Sequence, residues 1–143
     1  MKPRFRVWSK QERRLIPSED ILAIDYENEE IDAQKIYFED GLPYERDIYT
    51  YGFENIKLMQ STGLTDKNGK EIFEGDIIAI EVEDIEAPIN AKVFCNNEIG
   101  ILMFHVFEDN EDVPMVELLE DNSVAFAVVG NIWEHPELAE VSS

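Results

Sequence analysis

LMQSTGLTDKNGKEIFEGDII, residues 58 to 78, decides the fold of this chain. It strings together an apolar run, a polar turn, a second apolar run and a Gly-Asp step into a third. Asp66, Asn68 and Gly69 cluster between the first two runs. Asn-Gly is the strongest short hairpin signal, because both residues tolerate positive φ and let the turn match the twist of the flanking strands. Gly63 marks a second bend, since a strand interior disfavours a residue with no side chain to pack. Ile72 and Phe73 anchor the chain to a core before Glu74-Gly75-Asp76 turns it into the apolar strand Ile77–Val82. Asp76 after Gly75 suits a carboxylate that accepts local backbone N–H bonds. With no His or Cys nearby, it reads as a structural cap rather than a metal ligand or catalytic acid.

Upstream, Phe5-Arg6-Val7-Trp8 alternates, with Phe5 and Val7 on one face and Arg4, Arg6 and Trp8 on the other. Ser9 to Glu12 reads as a turn and Arg13 to Ile16 as a returning strand. Pro17-Ser18 followed by Glu19 and Asp20 suits the start of a helical turn, and Ile21–Tyr26 fits a strand equally well. Glu27 to Glu30 is a solvated acidic loop. Lys35–Phe38 and Ile48–Tyr51 are strands, the first ended by Glu39-Asp40-Gly41-Leu42-Pro43. The aromatics Tyr37, Phe38, Tyr44, Tyr49, Tyr51 and Phe53 crowd this third of the chain, and core and sheet-face packing accounts for them better than a stacking platform for sugars or bases.

Downstream, Ala91–Cys95 and Ile99–Phe107 form strands joined by Asn96-Asn97-Glu98. Val113–Leu119 and Val124–Val129 read as the last strands, with Asp121-Asn122 as their turn. Pro136 suits the first turn of a short C-terminal helix. Cys95 is the only cysteine, so no intramolecular disulfide forms, and it packs as a small hydrophobe. His105 and His135 stand apart without metal-ligand spacing. The acidic run Glu108–Asp112 lacks the glycine and terminal glutamate of a calcium loop. No metal or cofactor is expected.

The run TGLTDKNGKEIFEGDII resembles the signature of the YopX family of phage and prophage proteins. So do VVGNIWEHPEL, Val128 to Leu138, and the opening RFRVW, Arg4 to Trp8. The three blocks follow the family's order, whereas Asp25–Glu54 and Ala87–Val113 match no pattern. The resemblance implies a mostly β, phage-encoded cytoplasmic protein and leaves its biochemical role open. It hands over no catalytic residues.

Some nine short strand candidates, many separated by turn signals and without a long helical pattern, specify a mainly β fold: an antiparallel barrel or sandwich with small helical additions. At 143 residues the chain fits a single YopX-like domain over 1–143, with 1–57 and 58–143 as candidate sub-lobes. No apolar run reaches the roughly 18 residues of a membrane span, and MKPRFRVW has no continuous apolar stretch of the signal-peptide kind.

Charge is the most unusual bulk feature. Residues 1–14 carry Lys2, Arg4, Arg6, Lys10, Arg13 and Arg14 against Glu12 alone, a local charge of +5 in a chain of formal net charge −20. A non-enzymatic protein acting through protein–protein contacts, as a homo-oligomer or with a partner, follows from the absence of site chemistry and from this charge asymmetry. Two alternatives use the charge directly. The basic hairpin, as the set Lys2, Arg4, Arg6, Trp8, Lys10, Arg13 and Arg14, would hold a phosphate backbone and stack Trp8 on a base, or else contact a neighbouring subunit. The acidic remainder would mimic DNA and occupy a host DNA-binding protein.

Overall fold

The computed structural model describes residues 4–121 and 123–139. Strands take up 59% of it and helical turns 11%, so the fold is mainly β, and all the pairings are antiparallel. The chain divides into two compact units, Met1–Gln60 and Ser61–Ser143.

In the first unit, β1 (Phe5–Ser9) lies between β2 (Arg14–Ile16) and β6 (Ile56–Thr65), with Val7 opposite both Ile16 and Leu58. A three-stranded sheet follows, β3 (Ile21–Asp25), β4 (Glu30–Glu39) and β5 (Leu42–Gly52), paired in that order. Both readings made for residues 17–26 hold in turn: Ser18–Asp20 is a 3-10 turn, and β3 starts directly after it. Val7, Ile16, Ile31, Ala33, Tyr51 and Ile56 form the core.

The β4–β5 hairpin is much longer than the apolar centres Lys35–Phe38 and Ile48–Tyr51 suggest. Period two explains the extension: Ile31 and Ala33 turn inward, so the polar residues Asp32 and Gln34 between them belong to the strand and not to a loop. At the far end Glu39 faces Leu42, and Asp40 and Gly41 both take positive φ, +52° and +79°, as a two-residue primed turn requires.

In the second unit, β6 pairs with β7 (Glu71–Phe73) across an irregularity at Gly63, whose φ of +78° supplies the bend. The loop between them is an Asp66-centred turn. Gly69 takes positive φ (+82°) but Asn68 does not, because the Asp66 carboxylate, rather than a primed Asn-Gly pair, closes it. A five-stranded sheet makes up the rest, in the order β11 (Glu111–Pro114), β10 (Ile101–Val106), β9 (Ile89–Asn96), β8 (Asp76–Val82), β12 (Val124–Asn131). Asp76 is buried and accepts the Phe73 amide at 2.8 Å, the capping role read from Gly75-Asp76.

One strand expectation fails. Residues 113–119 do not continue as a strand: β11 ends at Pro114, and Met115–Leu119 form the helix α1. Pro114 is favourably placed before a first helical turn, and the helix directs Met115 and Leu118, three apart, onto the core of Ile72, Ile78, Ile80, Val93 and Phe104. Asn122, read as part of the last turn, lies outside the described residues. Pro136–Ala139 is a 3-10 turn at the place where a short C-terminal helix was expected. Among the described residues no helix is long and apolar enough to cross a membrane.

Candidate functional site

The N-terminal hairpin forms with Trp8 facing Leu15 and Ser9 facing Arg14, so that Ser9, expected in the turn, closes β1, and Arg13, expected in the returning strand, belongs to the turn. Its side chains do not make one basic face. Arg4, Lys10 and Arg13 are exposed, whereas Arg6 and Trp8 are only 7% exposed each. β1 is an interior strand with a neighbour on either side. Arg6 lies opposite Met59 and carries its Nη2 to 3.8 Å from the Met59 sulfur. A buried indole has no free face to offer a base. Lys10 donates to the Glu54 carbonyl at 3.3 Å. Lys2, the remaining member of the set, lies outside the described residues.

Arg14 turns to a local network. Its Nε donates to Glu12 at 3.1 Å and its Nη2 to the Tyr51 hydroxyl at 3.3 Å, while Tyr51 donates to the other Glu12 oxygen at 2.8 Å. Partial burial pushes the Glu12 carboxyl up, but the bonds from Tyr51 and Arg14 outweigh it and hold the group below its ordinary range. The Tyr51 phenol is pushed up, by burial first and then by the carboxylate it serves. Such a triad orders the hairpin and leaves Arg14 less available to a ligand.

A second constellation runs across one half of the five-stranded sheet, from its edge strand β11 to its central strand β9. Lys92 on β9, His105 on β10 and Asp112 on β11 stand directly opposite one another across three strands. His105 Nδ1 is 2.7 Å from Asp112 Oδ1, Lys92 Nζ lies 5.7 Å from the Phe94 ring, and the four line an open hollow of about 240 Å³. A His-Asp pair can move a proton. None of the lining residues is a hydroxyl or thiol for that pair to activate, and Cys95, next to Phe94 on the strand, takes the opposite face. Among the described residues no three of His, Cys, Asp or Glu are grouped to hold a metal.

The third feature is apolar. A groove of about 540 Å³ in the first unit is walled by Phe5, Ile21, Leu22, Ile24 and Tyr26, with Arg4 at its border. Residues 34–39 of β4 extend past the part of the strand that β3 covers, and that arm ends in the exposed side chains of Phe38, Leu42 and Tyr44. The crowded aromatics therefore divide. Tyr51 is buried and Tyr49 and Phe53 pack against the core, but Phe38 and Tyr44 face solvent.

A family model described as YopX protein matches residues 4–140. The chain belongs to the YopX family. The three blocks that carry the resemblance fall on β1, on β6 to β8, and on β12 with the turn that follows it. Among solved structures, the YopX-family chain is similar to protein EF1440 from Enterococcus faecalis, 26% identical over 98% of this chain and 99% of that one, with a TM-score of 0.65. It is also similar to protein yopX from Bacillus subtilis, 18% identical over 96% and 98% of the two chains, with a TM-score of 0.63. At that lower identity the likeness is one of fold. No match was found among curated proteins.

Sequence reasoning missed both the Lys92–His105–Asp112 row and the apolar arm. The row depends on the registers of two hairpins, which the loops Asn96–Gly100 and Phe107–Asn110 set. The arm has a local signal, the apolar residues Phe38, Leu42 and Tyr44 placed around Asp40-Gly41, a pair that can supply a primed turn.

Proposed function

We propose that this YopX-family chain is a non-enzymatic accessory protein of phage or prophage origin that works in the host cytoplasm through protein–protein contacts, its own association included. The observation that carries this is the exposed apolar surface of one three-stranded sheet. Leu22, Tyr26, Phe38, Leu42, Tyr44 and Ile48 are all exposed along β3, the turn after it, β4 and β5. Single exposed apolar residues are ordinary, but these are grouped at two places on one sheet, along β3 and at the β4–β5 tip, and such groups mark interaction sites. A net charge of −20 keeps the chain soluble despite them and discourages indiscriminate aggregation.

Sedimentation velocity in low and high salt tests the reading. Added salt screens the repulsion between acidic copies, so assembly should persist or strengthen. A monomer under both conditions at on the order of 100 μM would defeat self-association, since a dissociation constant weaker than that corresponds to only about 5 kcal/mol of binding.

A further inference from the structure

We propose that the Lys92–His105–Asp112 row is a binding site for free inorganic phosphate in its hydrogen-phosphate form. Lys92 donates to one phosphate oxygen, and His105 Nε2 accepts from the hydroxyl of another.

The sheet builds the site. β9 and β10 are interior strands, and Ala91, Val93, Phe104 and Val106 belong to the core on one face. Alternation turns Lys92 and His105 to the opposite face. The register sets them directly across from each other, with Asp112 beyond His105 on β11. Directly opposed side chains start about 5 Å apart at their Cβ atoms, so both polar ends can reach one compact group. Rings restrain them: Lys92 Nζ stands 5.7 Å from the Phe94 ring centre, and the imidazole meets Phe107 edge-on with centroids 5.6 Å apart. The hollow holds about 240 Å³, less than the roughly 300–1,000 Å³ of a drug-sized ligand, and suits a single small polar group.

The two donor and acceptor roles select the group. Asp112 Oδ1 lies 2.7 Å from His105 Nδ1, and a carboxylate only accepts, so Nδ1 carries a hydrogen. The neutral ring therefore presents Nε2 as an acceptor, beside an ammonium that only donates. Among the described residues Nε2 has no hydrogen-bond partner, and Lys92 has no carboxylate within ion-pair distance. A ligand serving both needs an anionic oxygen for Lys92 and a hydroxyl for Nε2. Hydrogen phosphate carries both on one centre. Sulfate and carboxylate ions have the first and lack the second, and a phosphate monoester loses its last hydroxyl proton near pH 6. A net charge of −20 repels anions in general, so retention rests on these directed bonds rather than on the field of the chain.

NMR of the full chain reads the site, with inorganic phosphate, glycerol phosphate and sulfate titrated separately at equal ionic strength. The pH is held at about 7.5, where a phosphate monoester is ionised and inorganic phosphate keeps a hydroxyl. Phosphate should shift the signals of Lys92 and His105 saturably, and should bind about tenfold more tightly than the other two, as one further hydrogen bond to a charged group predicts. With folding checked by circular dichroism, Lys92→Ala and His105→Phe should each weaken phosphate binding about tenfold or more, and the second should also erase the preference over sulfate. Lys92→Arg, which keeps a cationic donor, should retain binding. Asp112 acts through the imidazole as a positioning residue. Asp112→Ala should lower the phosphate-to-sulfate ratio and move the ring hydrogen from Nδ1 to Nε2, a change that the ring nitrogen shifts report and a merely structural role would not produce. Sulfate or glycerol phosphate bound as tightly as inorganic phosphate, a wild-type neutral ring with its hydrogen on Nε2, or no saturable shift at Lys92 and His105 overturns the assignment.

Discussion

Asp66 Oδ2 accepts the backbone amide of Val128 at 2.8 Å, tying the turn between β6 and β7 to the edge of β12, 62 positions along the chain. The other oxygen of the same carboxylate accepts the amides of Asn68 and Lys70, each at 2.9 Å. Lys67 reinforces the junction by donating its amide to the Phe126 carbonyl at 2.9 Å. One buried carboxylate thus closes a turn and docks it. Two of the three blocks that carry the family resemblance meet here.

Replacing Asp66 should therefore destabilise the fold. Asp66→Ala leaves the partly buried Val128 amide without its acceptor and opens the turn, at a cost of about 2–3 kcal/mol. Asp66→Asn can keep the turn through its remaining oxygen but sets an NH₂ group against Val128, so it should cost less. Burial pushes the Asp66 carboxyl up, yet the three amides and the charge of Lys70 outweigh it and hold the group below 3.8. A depressed folded value means that the stabilisation is complete above the unfolded value and is lost as pH falls through the folded one. Urea denaturation followed from about pH 5 down to about pH 2 should show this loss in the wild type and a shallower one in both variants. Equal acid slopes in all three would remove Asp66 from the account.

Gly130 should tolerate no side chain. A Cβ there would stand 2.6 Å from His135 Nδ1 and 2.8 Å from its Cγ. That same nitrogen accepts the Asn131 amide at 3.2 Å, so moving the ring breaks a bond as well as a contact. Gly130→Ala should cost about 1–3 kcal/mol by overpacking. Adding His135→Ala removes the obstacle, so the double variant should lose less than the sum of the two single ones. Strict additivity in thermal denaturation would show that the ring is not what the methyl meets.

The Glu12–Tyr51–Arg14 network predicts a specific titration. Tyr51→Phe removes the stronger of the two bonds that depress the Glu12 carboxyl, so its pKa should rise toward the ordinary carboxylate range. Arg14→Gln should move it in the same direction by removing both a bond and a positive charge. Carbon-detected NMR titration of the carboxyl groups reads both shifts. An unchanged Glu12 in Tyr51→Phe would mean that the phenol does not reach it in solution.

Much of this architecture was legible because it is written locally. Gly63, Gly69 and Gly75-Asp76 each state a backbone requirement within two or three residues, and the bends fall where those requirements place them. The basic hairpin shows the limit of such reading. Alternation predicts which side chains of β1 share a face, but not that Arg6, Val7 and Trp8 are all buried, because that depends on residues distant in sequence such as Met59, which stands beside Arg6 from 53 positions along the chain. Residues 113–119 show another limit. A short apolar run has no period long enough to separate strand from helix, and the decision comes from Pro114 and from the core that receives Met115 and Leu118. The exposed arm was hidden for a third reason. Aromatics in strands usually pack inward, and nothing near Tyr44 announces that β3 stops short of it.

The hairpin's remaining surface cations make a final prediction. Arg4, Lys10 and Arg13 are exposed, but they belong to a chain of net charge −20, and the indole that would stack on a base is buried. Three phosphate contacts would release few counterions, and the acidic surroundings would repel the rest of the strand within a screening length of about 8–10 Å. A fluorescently labelled single-stranded DNA should therefore remain unbound at about 50 mM salt, where the electrostatic term is strong. Binding that weakens steeply with added salt, and that disappears when Arg4, Lys10 and Arg13 are all changed to Ala, would reassign the hairpin from subunit contact to nucleic acid. It would also require Trp8 to leave its buried position if stacking contributes, a change its own fluorescence would report.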